Sequence, residues 1–572
     1  MLVFATPLAL AQDRPPERPS GWTPKKAIVT RYDMVAAAHP LAVAAGHDIL
    51  AQGGTVVDAA VAVQMVLNLV EPQSSGIGGG AFVLFHNGRN GLVTAYDGRE
   101  TAPSAAKPDR FLTSDGKPLE FYDAVVGGKS VGVPGALRVL ELSHRQYGKL
   151  PWAKLFDAAI GLAERGFAVS PRLHDAVAGE EHLLQDRARA YFFNQDGTPL
   201  AVGQTLKNPA FAETLRRIAA EGADAFYKGE IARDIVDTVR SYAPNQGDIT
   251  EADLAGYKAK VREPVCGRYR VYRICGMPPP SSGGIIVLQI LGMLEPFDMS
   301  SLGPGSLMSV HLFSEVGRLA YADRNRYLAD PDFAPTPAGL TDPGYLRARS
   351  ALIRADVSMG KANPGVPPSS ARKKAALADF GTDDALEFPS TSHISIVDKY
   401  GNALAMTTTI EDAFGSRLMT RGGFLLNNEL TDFSLSPVQD GKPVANRVEA
   451  RKRPRSSMAP TIVYDAKGQV LMICGSPGGS AIINYVAKTL VGVLDWNLDP
   501  QAAIDLPNIG SRNGPTELEK DTSAAELEPK LKALGHDTRV MEQTSGLQAI
   551  VRTRDGWIGG ADPRREGTVA GD

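Results

Sequence analysis

The sequence is poor in several features, and each shortage argues against a class of protein. Its 572 residues carry a formal net charge of −3, so there is no basic excess to neutralise the phosphates of a nucleic acid. After the first residues, no run reaches the roughly 18 apolar residues that a membrane helix needs. The nine histidines show no HExxH or comparable ligand spacing. We therefore expect no nucleic-acid partner, no membrane span in the mature protein, no metal and no cofactor.

Cysteine is also scarce, with three residues in all. Cys266 and Cys275 flank a strand-like segment and could close a small loop in an oxidising compartment. The sequence alone leaves their pairing open. Cys474 ends an apolar stretch, and we interpret it as a buried apolar residue.

The N-terminal segment looks like an export signal. Residues 1–11 are apolar and end in Ala-Leu-Ala, a pattern that signal peptidase accepts, although a basic region before them is missing. Residues 12–34 begin with a stretch rich in proline and charge, which is typical of an exposed linker. We therefore predict a signal-peptide remnant, a linker, and a periplasmic or secreted protein.

The composition is that of a large globular chain, with 43% apolar and 22% charged residues. The first two thirds are rich in helical periodicity, whereas the last third alternates strands with a helix near 480–496, which predicts sheets covered by helices. Residues 360–382 are interpreted as an exposed, mobile segment. The predicted helices of the first part are 41–70, 134–147, 151–165, 209–221 and 307–328.

A predicted β-hairpin places two threonines side by side. Residues 393–397 and 403–410 are rich in strand formers, and a turn-forming cluster separates them. If the turn centres on Tyr400, Thr391 faces Thr409 at roughly 5 Å. A threonine becomes an effective nucleophile when it is the first residue of a chain, because its own α-amine serves as the base. Such a role requires a cut before Thr391; otherwise these threonines are ordinary strand formers.

Two glycine-rich segments differ in their context. Residues 74–81 nearly match a dinucleotide-binding fingerprint, but they follow a helix and precede a strand, so we interpret them as a tight backbone crossing. Residues 475–480 follow a strand and precede a helix. Gly478 and Gly479 would there let a substrate oxygen approach backbone N–H groups, as in an oxyanion hole. A plain strand-to-helix turn is an equally good interpretation of this segment alone.

Several motifs together resemble γ-glutamyltranspeptidases, also called glutathione hydrolases. The resemblance extends from about residue 35 to 564 and keeps the motifs in one order. In the last third they are TSH at 391–393, DKYGN at 398–402, LLNNE at 425–429, DFS at 432–434, KRPRSSM at 452–458 and GSPGGS at 475–480. Earlier ones are EPQ at 71–73, GGG at 78–80, RE at 99–100, AP at 102–103 and PPPSSGG at 278–284.

This resemblance implies an α+β fold, the four-layer αββα sandwich of N-terminal-nucleophile hydrolases. It also implies a proenzyme that cuts itself between Ser390 and Thr391. The products would be a large subunit, 35–390 after the signal and linker, and a small subunit, 391–572, which stay together as a heterodimer. Thr391 would be the nucleophile, and Thr409 would orient its hydroxyl group.

The resemblance also implies a pocket for a γ-glutamyl donor. Arg99, with Ser456 and Ser457, would bind the α-carboxylate of the donor, and Glu429 and Asp432 would face its α-ammonium. A γ-glutamyl-threonine intermediate would pass the glutamyl group to water or to an amino acid or peptide. Glutathione is the expected donor.

Three further site features follow from the same resemblance. Gly478 and Gly479 would hold the oxyanion. Glu411 stands where many family members carry an asparagine near the donor amine, so recognition of the ammonium is expected to differ. The segment 434–455 is shorter than in members with a lid loop and lacks an aromatic residue, so we expect an open site.

Two other functions remain open at this stage. Near relatives with the same nucleophile are cephalosporin (glutaryl) or other amide acylases. A different class would be an uncut, catalytically silent periplasmic binding protein. Retention of Thr391, Thr409, Gly478 and Gly479 together argues against the silent protein, and a γ-glutamyl hydrolase or transferase is the favoured hypothesis.

Overall fold

The computed structural model describes residues 21–183, 186–368, 380–383, 385, 387–388 and 390–572. Strands β1 to β21 of this part are, in order, Ile28–Thr30, Met34–Ala37, Gly80–His86, Val93–Gly98, Phe167–Ala168, Thr205–Leu206, Lys260–Arg262, Val265–Tyr269, Tyr272–Gly276, Thr391–Val397, Ala403–Thr409, Val438–Gln439, Lys442–Pro443, Thr461–Tyr464, Val470–Gly475, Ile509–Ser511, Thr516–Glu519, Thr538–Met541, Gln548–Arg552, Trp557–Ala561 and Thr568–Ala570. Helices α1 to α18 are Pro40–Ala51, Val56–Val70, Phe121–Val125, Ala136–Tyr147, Asp157–Arg165, Pro171–Ala178, Asp186–Phe192, Pro209–Glu221, Asp224–Tyr227, Gly229–Ser241, Glu251–Gly256, Gly283–Leu294, Met299–Leu302, Leu307–Tyr327, Pro343–Ser350, Ile482–Leu494, Pro500–Asp505 and Glu528–Ala533.

Two seven-stranded antiparallel sheets lie face to face at the centre of the molecule. The hairpin sheet has the strand order β21-β2-β10-β11-β3-β4-β7, and the second sheet has the order β1-β20-β19-β15-β14-β9-β8. Strands β2, β10 and β11 of the hairpin sheet pack on β15, β19 and β20 of the second sheet.

Alternating side chains give each sheet two buried faces. In β2, Val35 and Ala37 belong to the core beneath the helices, whereas Met34 and Ala36 belong to the core that includes the second sheet. Helices α1, α2 and α4 cover the outer face of the hairpin sheet, and α12, α16 and α17 cover the second sheet. The layers are therefore helix, sheet, sheet, helix, and the predicted four-layer αββα fold is confirmed.

The register of the β10–β11 hairpin is the predicted one, with Thr391 opposite Thr409. The turn forms because the Asp398 carboxylate accepts hydrogen bonds from the backbone N–H groups of Tyr400, at 2.9 Å, and Asn402, at 3.0 Å. Both strands are buried over their full length in the middle of the sheet. Thr391 consequently stands at the end of a central strand.

The predicted helix 41–70 is two helices. Gly53, which follows the C-cap of α1, adopts a left-handed conformation with φ of 85° and turns the chain out of the helix. Gly54 packs so closely on Ile49 that a Cβ would lie 2.7 Å from its side chain. The side chain of Thr55 then caps α2 in a capping box with Asp58.

The structure also bears on the predictions made for the N-terminal segment, the mobile segment and the cysteines. Residues 28–30 and 34 of the predicted linker lie in β1 and β2, while the predicted signal 1–11 lies outside the described residues, as do 369–379 of the predicted mobile segment. Cys266 and Cys275 form a disulfide between β8 and β9, and Cys474 is buried as predicted. Among the described residues, no helix is both long and apolar enough to span a membrane.

Candidate active site

The site lies at the end of β10, where the chain enters the sheet at Thr391. The hydroxyl group of Thr391 donates a hydrogen bond to Oγ1 of Thr409 at 3.2 Å, and both side chains are buried. Thr409 in turn donates to the carbonyl oxygen of Ser390 at 2.8 Å. The second threonine therefore contacts both the predicted nucleophile and the peptide bond that precedes it.

Thr409 is itself held in place by the following residue. The backbone N–H of Glu411 donates to Oγ1 of Thr409 at 2.9 Å, and Glu411 has a left-handed φ of 76°. The Thr409 hydroxyl thus accepts two hydrogen bonds and donates one, which uses its full capacity. Its donor hydrogen is directed at the carbonyl oxygen of Ser390.

The predicted oxyanion segment follows β15 and turns into α16. Gly478 and Gly479 have φ values of 137° and 54°, which favour glycine. A Cβ on Gly479 would lie 2.5 Å from the carbonyl oxygen of Glu387, and one on Gly478 would lie 2.6 Å from the Tyr485 ring. Glycine is therefore required at both positions, and Gly479 is the one that contacts the segment before Thr391.

Arg99 joins two of the predicted ammonium-facing acids. Its two terminal nitrogens donate separately to Glu429 and Asp432, and its Nε donates to the carbonyl oxygen of Pro454 at 3.1 Å. Burial opposes its charge, but Glu429 and Asp432 outweigh that effect and raise the pKa of Arg99. Arg99 is therefore paired with both acids in this structure, and its predicted contact with a donor carboxylate, like that of the acids with the donor ammonium, stays a prediction.

Three carboxyl groups, those of Glu429, Asp432 and Glu100, act on the charge of Arg99, and Glu411 interacts in turn with Asp432 and Glu429. Burial, followed by the charges of Asp432, Asp412 and Glu429, raises the pKa of Glu411 well above its usual value. Burial likewise raises the pKa values of Glu429 and Asp432 despite Arg99. An additional cation beside these groups would lower their pKa values.

Glu100 is the fourth of these carboxyl groups. Burial raises its pKa to about 7, although the charge of Arg99 acts in the opposite direction. Neither of its carboxylate oxygens has a hydrogen-bond partner among the described residues. Gly80 packs against the same group, since a Cβ there would lie 2.6 Å from the Glu100 carboxyl carbon.

The segment before Thr391 fills the remaining space. The Glu387 carboxylate accepts hydrogen bonds from Arg324 and from the Ser457 hydroxyl, the latter at 2.5 Å, and Nε of Arg455 lies 3.5 Å away. Burial alone would raise the pKa of Glu387, but Arg324 and Arg455 hold it below its usual value. The cavity that remains has a volume of about 20 Å³.

The lining of this cavity gathers most of the predicted site residues. It contains Arg99, Glu387, Phe388, Thr391, Thr409, Glu411, Glu429, Asp432, Ser456, Ser457, Met458, Gly479 and Ile482. Gly478 and Ser390 are the predicted residues outside the lining, although each adjoins a lining residue in the chain.

Comparison with known proteins decides which family this arrangement belongs to. The family model described as gamma-glutamyltranspeptidase matches residues 42–572. The chain belongs to the γ-glutamyltranspeptidase family. It is a hydrolase or transferase with the N-terminal-nucleophile fold, and the family resemblance seen in the sequence is confirmed.

Individual relatives extend the comparison over nearly the whole chain. The glutathione hydrolase proenzyme of Bacillus subtilis (strain 168) is 38% identical over 514 residues, covering 90% of this chain and 86% of the relative. The glutathione hydrolase proenzyme of Escherichia coli (strain K12) is 39% identical over 549 residues, covering 93% of this chain and 90% of the relative. The solved cephalosporin acylase from Bacillus halodurans is 25% identical with a TM-score of 0.82, covering 100% of this chain and 99% of that one.

Around the γ-glutamyltranspeptidase site, a buried shell holds β10 in position. Burial lowers the pKa of His393 to about 3, and the neutral ring bridges the hydroxyl groups of Thr407 and Ser395, at 2.9 Å each. Arg565 donates to the backbone carbonyl of Thr391 at 3.2 Å. The only histidine next to the threonine pair in sequence is therefore a packing residue between the two sheets.

One group of residues could be mistaken for a metal site. Ligand atoms of His311, Glu315 and His536 lie within 4.8 Å of one another. However, the two rings are hydrogen-bonded to each other at 2.7 Å, and Glu315 is paired with Arg318 at 3.1 Å and accepts from the Met359 N–H. The ligand atoms are satisfied by the protein itself, and the neighbouring guanidinium disfavours a second cation.

Sequence reasoning missed three charged residues of the site. Arg455 lies in the KRPRSSM motif, but no role followed from its type alone, and no motif drew attention to Glu387. Arg324 lies on the last turn of α14, and only the folded chain brings it to Glu387. The one available signal in the sequence was the adjacent Asp323 and Arg324 near the end of the predicted helix 307–328.

Proposed function

We propose that the chain is a self-cleaving γ-glutamyl hydrolase and transferase, acting on glutathione and other γ-glutamyl amides. The single observation that supports this proposal most strongly is the Thr391–Thr409–Ser390 contact, in which the Thr391 hydroxyl would attack and the Thr409 hydroxyl would polarise the carbonyl. The homologues named glutathione hydrolase proenzyme support the same reaction.

Maturation would proceed by attack of Thr391 Oγ1 on the carbonyl carbon of Ser390. The C–N bond breaks, the hydroxyl proton passes to the leaving nitrogen, and an ester links Ser390 to the Thr391 side chain. Water then hydrolyses the ester. The products are a carboxylate at Ser390 and a free α-amine on Thr391, which can act as the base in later turnovers. The hydrogen bond from Thr409 stabilises the developing oxyanion.

Turnover would repeat the same chemistry on a donor. Thr391 attacks the γ-carbonyl, the amine half of the donor leaves with the proton, and a γ-glutamyl ester forms on Thr391. Backbone N–H groups at Gly478 and Gly479 would hold the oxyanion. Water or the amine of an amino acid or peptide then takes the glutamyl group. The subunits 35–390 and 391–572 would stay together as a heterodimer, exported to the periplasm or secreted.

Donor recognition would depend on the acid cluster. Glu411, Glu429 and Asp432 line the cavity beside Arg99, so the pocket offers more carboxyl groups than cations to a ligand. A γ-glutamyl group carries an ammonium that such a pocket stabilises. A glutaryl group lacks it, which disfavours the acylase alternative that the cephalosporin acylase structure keeps open.

The test is the ratio of kcat/KM for a γ-glutamyl anilide and the matching glutaryl anilide. The proposal predicts a preference for the γ-glutamyl donor of about a hundredfold, since leaving one buried carboxylate without its counter-charge costs roughly 3 kcal/mol. A preference for the glutaryl anilide would favour the acylase, and no activity on either donor would favour the silent protein.

A further inference from the structure

The segment that follows β21 lies against the turn between β1 and β2. Strand β21 pairs with β2, and the carbonyl oxygen of Asp572 accepts hydrogen bonds from the backbone N–H groups of Arg31, at 2.8 Å, and Tyr32, at 2.7 Å. The backbone of Gly571 packs so closely on Asp33 that a Cβ would lie 2.1 Å from its carbonyl oxygen. These contacts fix Asp572 beside Asp33.

Three side chains that can bind a metal meet at this junction. Helix α1 packs against both β2 and β21, and it brings His47 to Asp33 and Asp572. Nε2 of His47 lies 3.3 Å from Oδ1 of Asp572 and 4.0 Å from Oδ1 of Asp33. One ligand atom from each residue lies within 4.8 Å of the other two. The imidazole and the two carboxylates therefore face one common point.

Two of these groups lack compensation within the protein. Nε2 of His47 is buried but has no hydrogen-bond partner among the described residues. The Asp33 side chain is 7% exposed, and the backbone N–H of Asp572 donates to it at 3.3 Å. Burial, together with the charge of Asp572, raises the pKa of Asp33, although that N–H, His47 and Lys399 act in the opposite direction. A buried nitrogen without a partner beside two carboxylates favours a cation at this point.

The donor atoms and their spacing fit zinc. Zn²⁺ binds imidazole nitrogen and carboxylate oxygen at about 2.0–2.2 Å in a tetrahedral arrangement, which places ligand atoms about 3.4 Å apart. The separations of 3.3 and 4.0 Å reach this value through small movements of the side chains. Mg²⁺ and Ca²⁺ prefer oxygen ligands, so the imidazole disfavours them. The Asp572 side chain is 62% exposed, and water can therefore supply a fourth ligand.

We propose that Asp33, His47 and Asp572 bind one zinc ion, with water as the fourth ligand. Asp33 and His47 precede Thr391 and Asp572 follows it, so after the proposed cut the ion would join the two subunits. The ligands are scattered over the chain and form no spacing motif, which is why the histidine pattern indicated no metal. None of them lines the active-site cavity, so failure of this inference leaves the proposed function as it stands.

The test is calorimetric titration of the metal-stripped 572-residue protein with zinc chloride. We expect one zinc ion per chain at this site in the wild type. His47→Gln is expected to weaken its binding by at least about tenfold, because even the loss of a group that only orients a ligand costs about 10- to 100-fold in affinity. His174→Gln is the matched control, since His174 is also a partly buried helix histidine but lies outside this group, and it should bind zinc as the wild type does.

A second variant covers the case in which His47→Gln does not fold. Asp572→Asn changes a largely exposed side chain and removes the charge while keeping the size, and it should also weaken binding by at least about tenfold. Asp555→Asn, at another exposed aspartate, is its control. Zinc should raise the melting temperature of the wild type and of both controls more than that of the two site variants.

The outcomes that contradict the inference are distinct. A wild-type protein that binds no zinc would overturn it, and so would unchanged binding in folded His47→Gln or Asp572→Asn. Binding that is kept in His47→Gln but lost in His311→Gln would place the ion at the other histidine group and would equally overturn it.

Discussion

Replacing Thr409 with valine removes one hydroxyl group from the centre of the site and keeps the shape of the side chain. The hydroxyl donates to the Ser390 carbonyl at 2.8 Å and accepts from Thr391 at 3.2 Å. Loss of one donor to a developing oxyanion typically costs about 2.7–4 kcal/mol, or roughly 100- to 1,000-fold in rate. We therefore expect Thr409→Val to slow self-cleavage by that factor.

The same substitution has a second cost in stability. The Glu411 N–H donates to the Thr409 hydroxyl at 2.9 Å and would lose its acceptor in a buried position. An unsatisfied buried donor costs about 1–3 kcal/mol, which the folded protein must tolerate for the rate to be measured. Circular dichroism and thermal unfolding of the uncut variant separate this effect from the loss of rate.

The assay follows pulse-labelled precursor on a denaturing gel and fits the first-order loss of the uncut band. Thr409→Ser is the control, because it keeps the hydroxyl group and should cleave within about tenfold of the wild-type rate. If Thr409→Val matured as fast as the wild type while remaining folded, the hydroxyl would have no part in polarising the Ser390 carbonyl, and the reasoning from the contact would be refuted.

Three further predictions concern charge and space in the pocket. Asp432→Asn should narrow the preference for γ-glutamyl over glutaryl anilide, because it removes a negative charge while keeping the shape; an unchanged kcat/KM ratio would contradict this. The pKa of Glu100 is about 7 in the folded chain against 4.5 as the ordinary value, so the folded state binds the proton more tightly and stability falls as pH rises from 4.5 to 7. Glu100→Gln should thus increase the free energy of unfolding at pH 8 by up to about 3 kcal/mol, which would raise the melting temperature, and should have little effect at pH 4. Equal shifts in melting temperature at pH 4 and pH 8 would contradict the argument. Gly479→Ala should block maturation, since the added Cβ would lie 2.5 Å from the Glu387 carbonyl oxygen. A fully processed variant on a denaturing gel would show that the chain accommodates this Cβ, and would contradict the prediction.

Local sequence rules predicted the hairpin well. The turn residues around Tyr400 set the register of the two strands, and side chains that alternate along each strand point to opposite faces of the sheet. Helix bounds such as 307–328 were predicted to within one residue at the C-terminus for similar local reasons. The single helix predicted over 41–70 missed the break that Gly53 introduces. Long-range charge pairing could not be predicted this way: Arg99 meets Glu429 only because distant segments of the chain cross at the end of the hairpin sheet.

The central claim is tested most directly by separating the purified protein under denaturing conditions and determining the N-terminal sequence of any smaller chain. The account predicts that the wild-type protein separates under denaturing conditions into two polypeptides, and that the N-terminal sequence of the smaller one begins at Thr391. It also predicts that Thr391→Ala remains a single chain without amide hydrolase activity, because one hydroxyl group serves both reactions. Two normal bands from the Thr391→Ala variant, or a wild-type small chain that begins at another residue, would contradict the account.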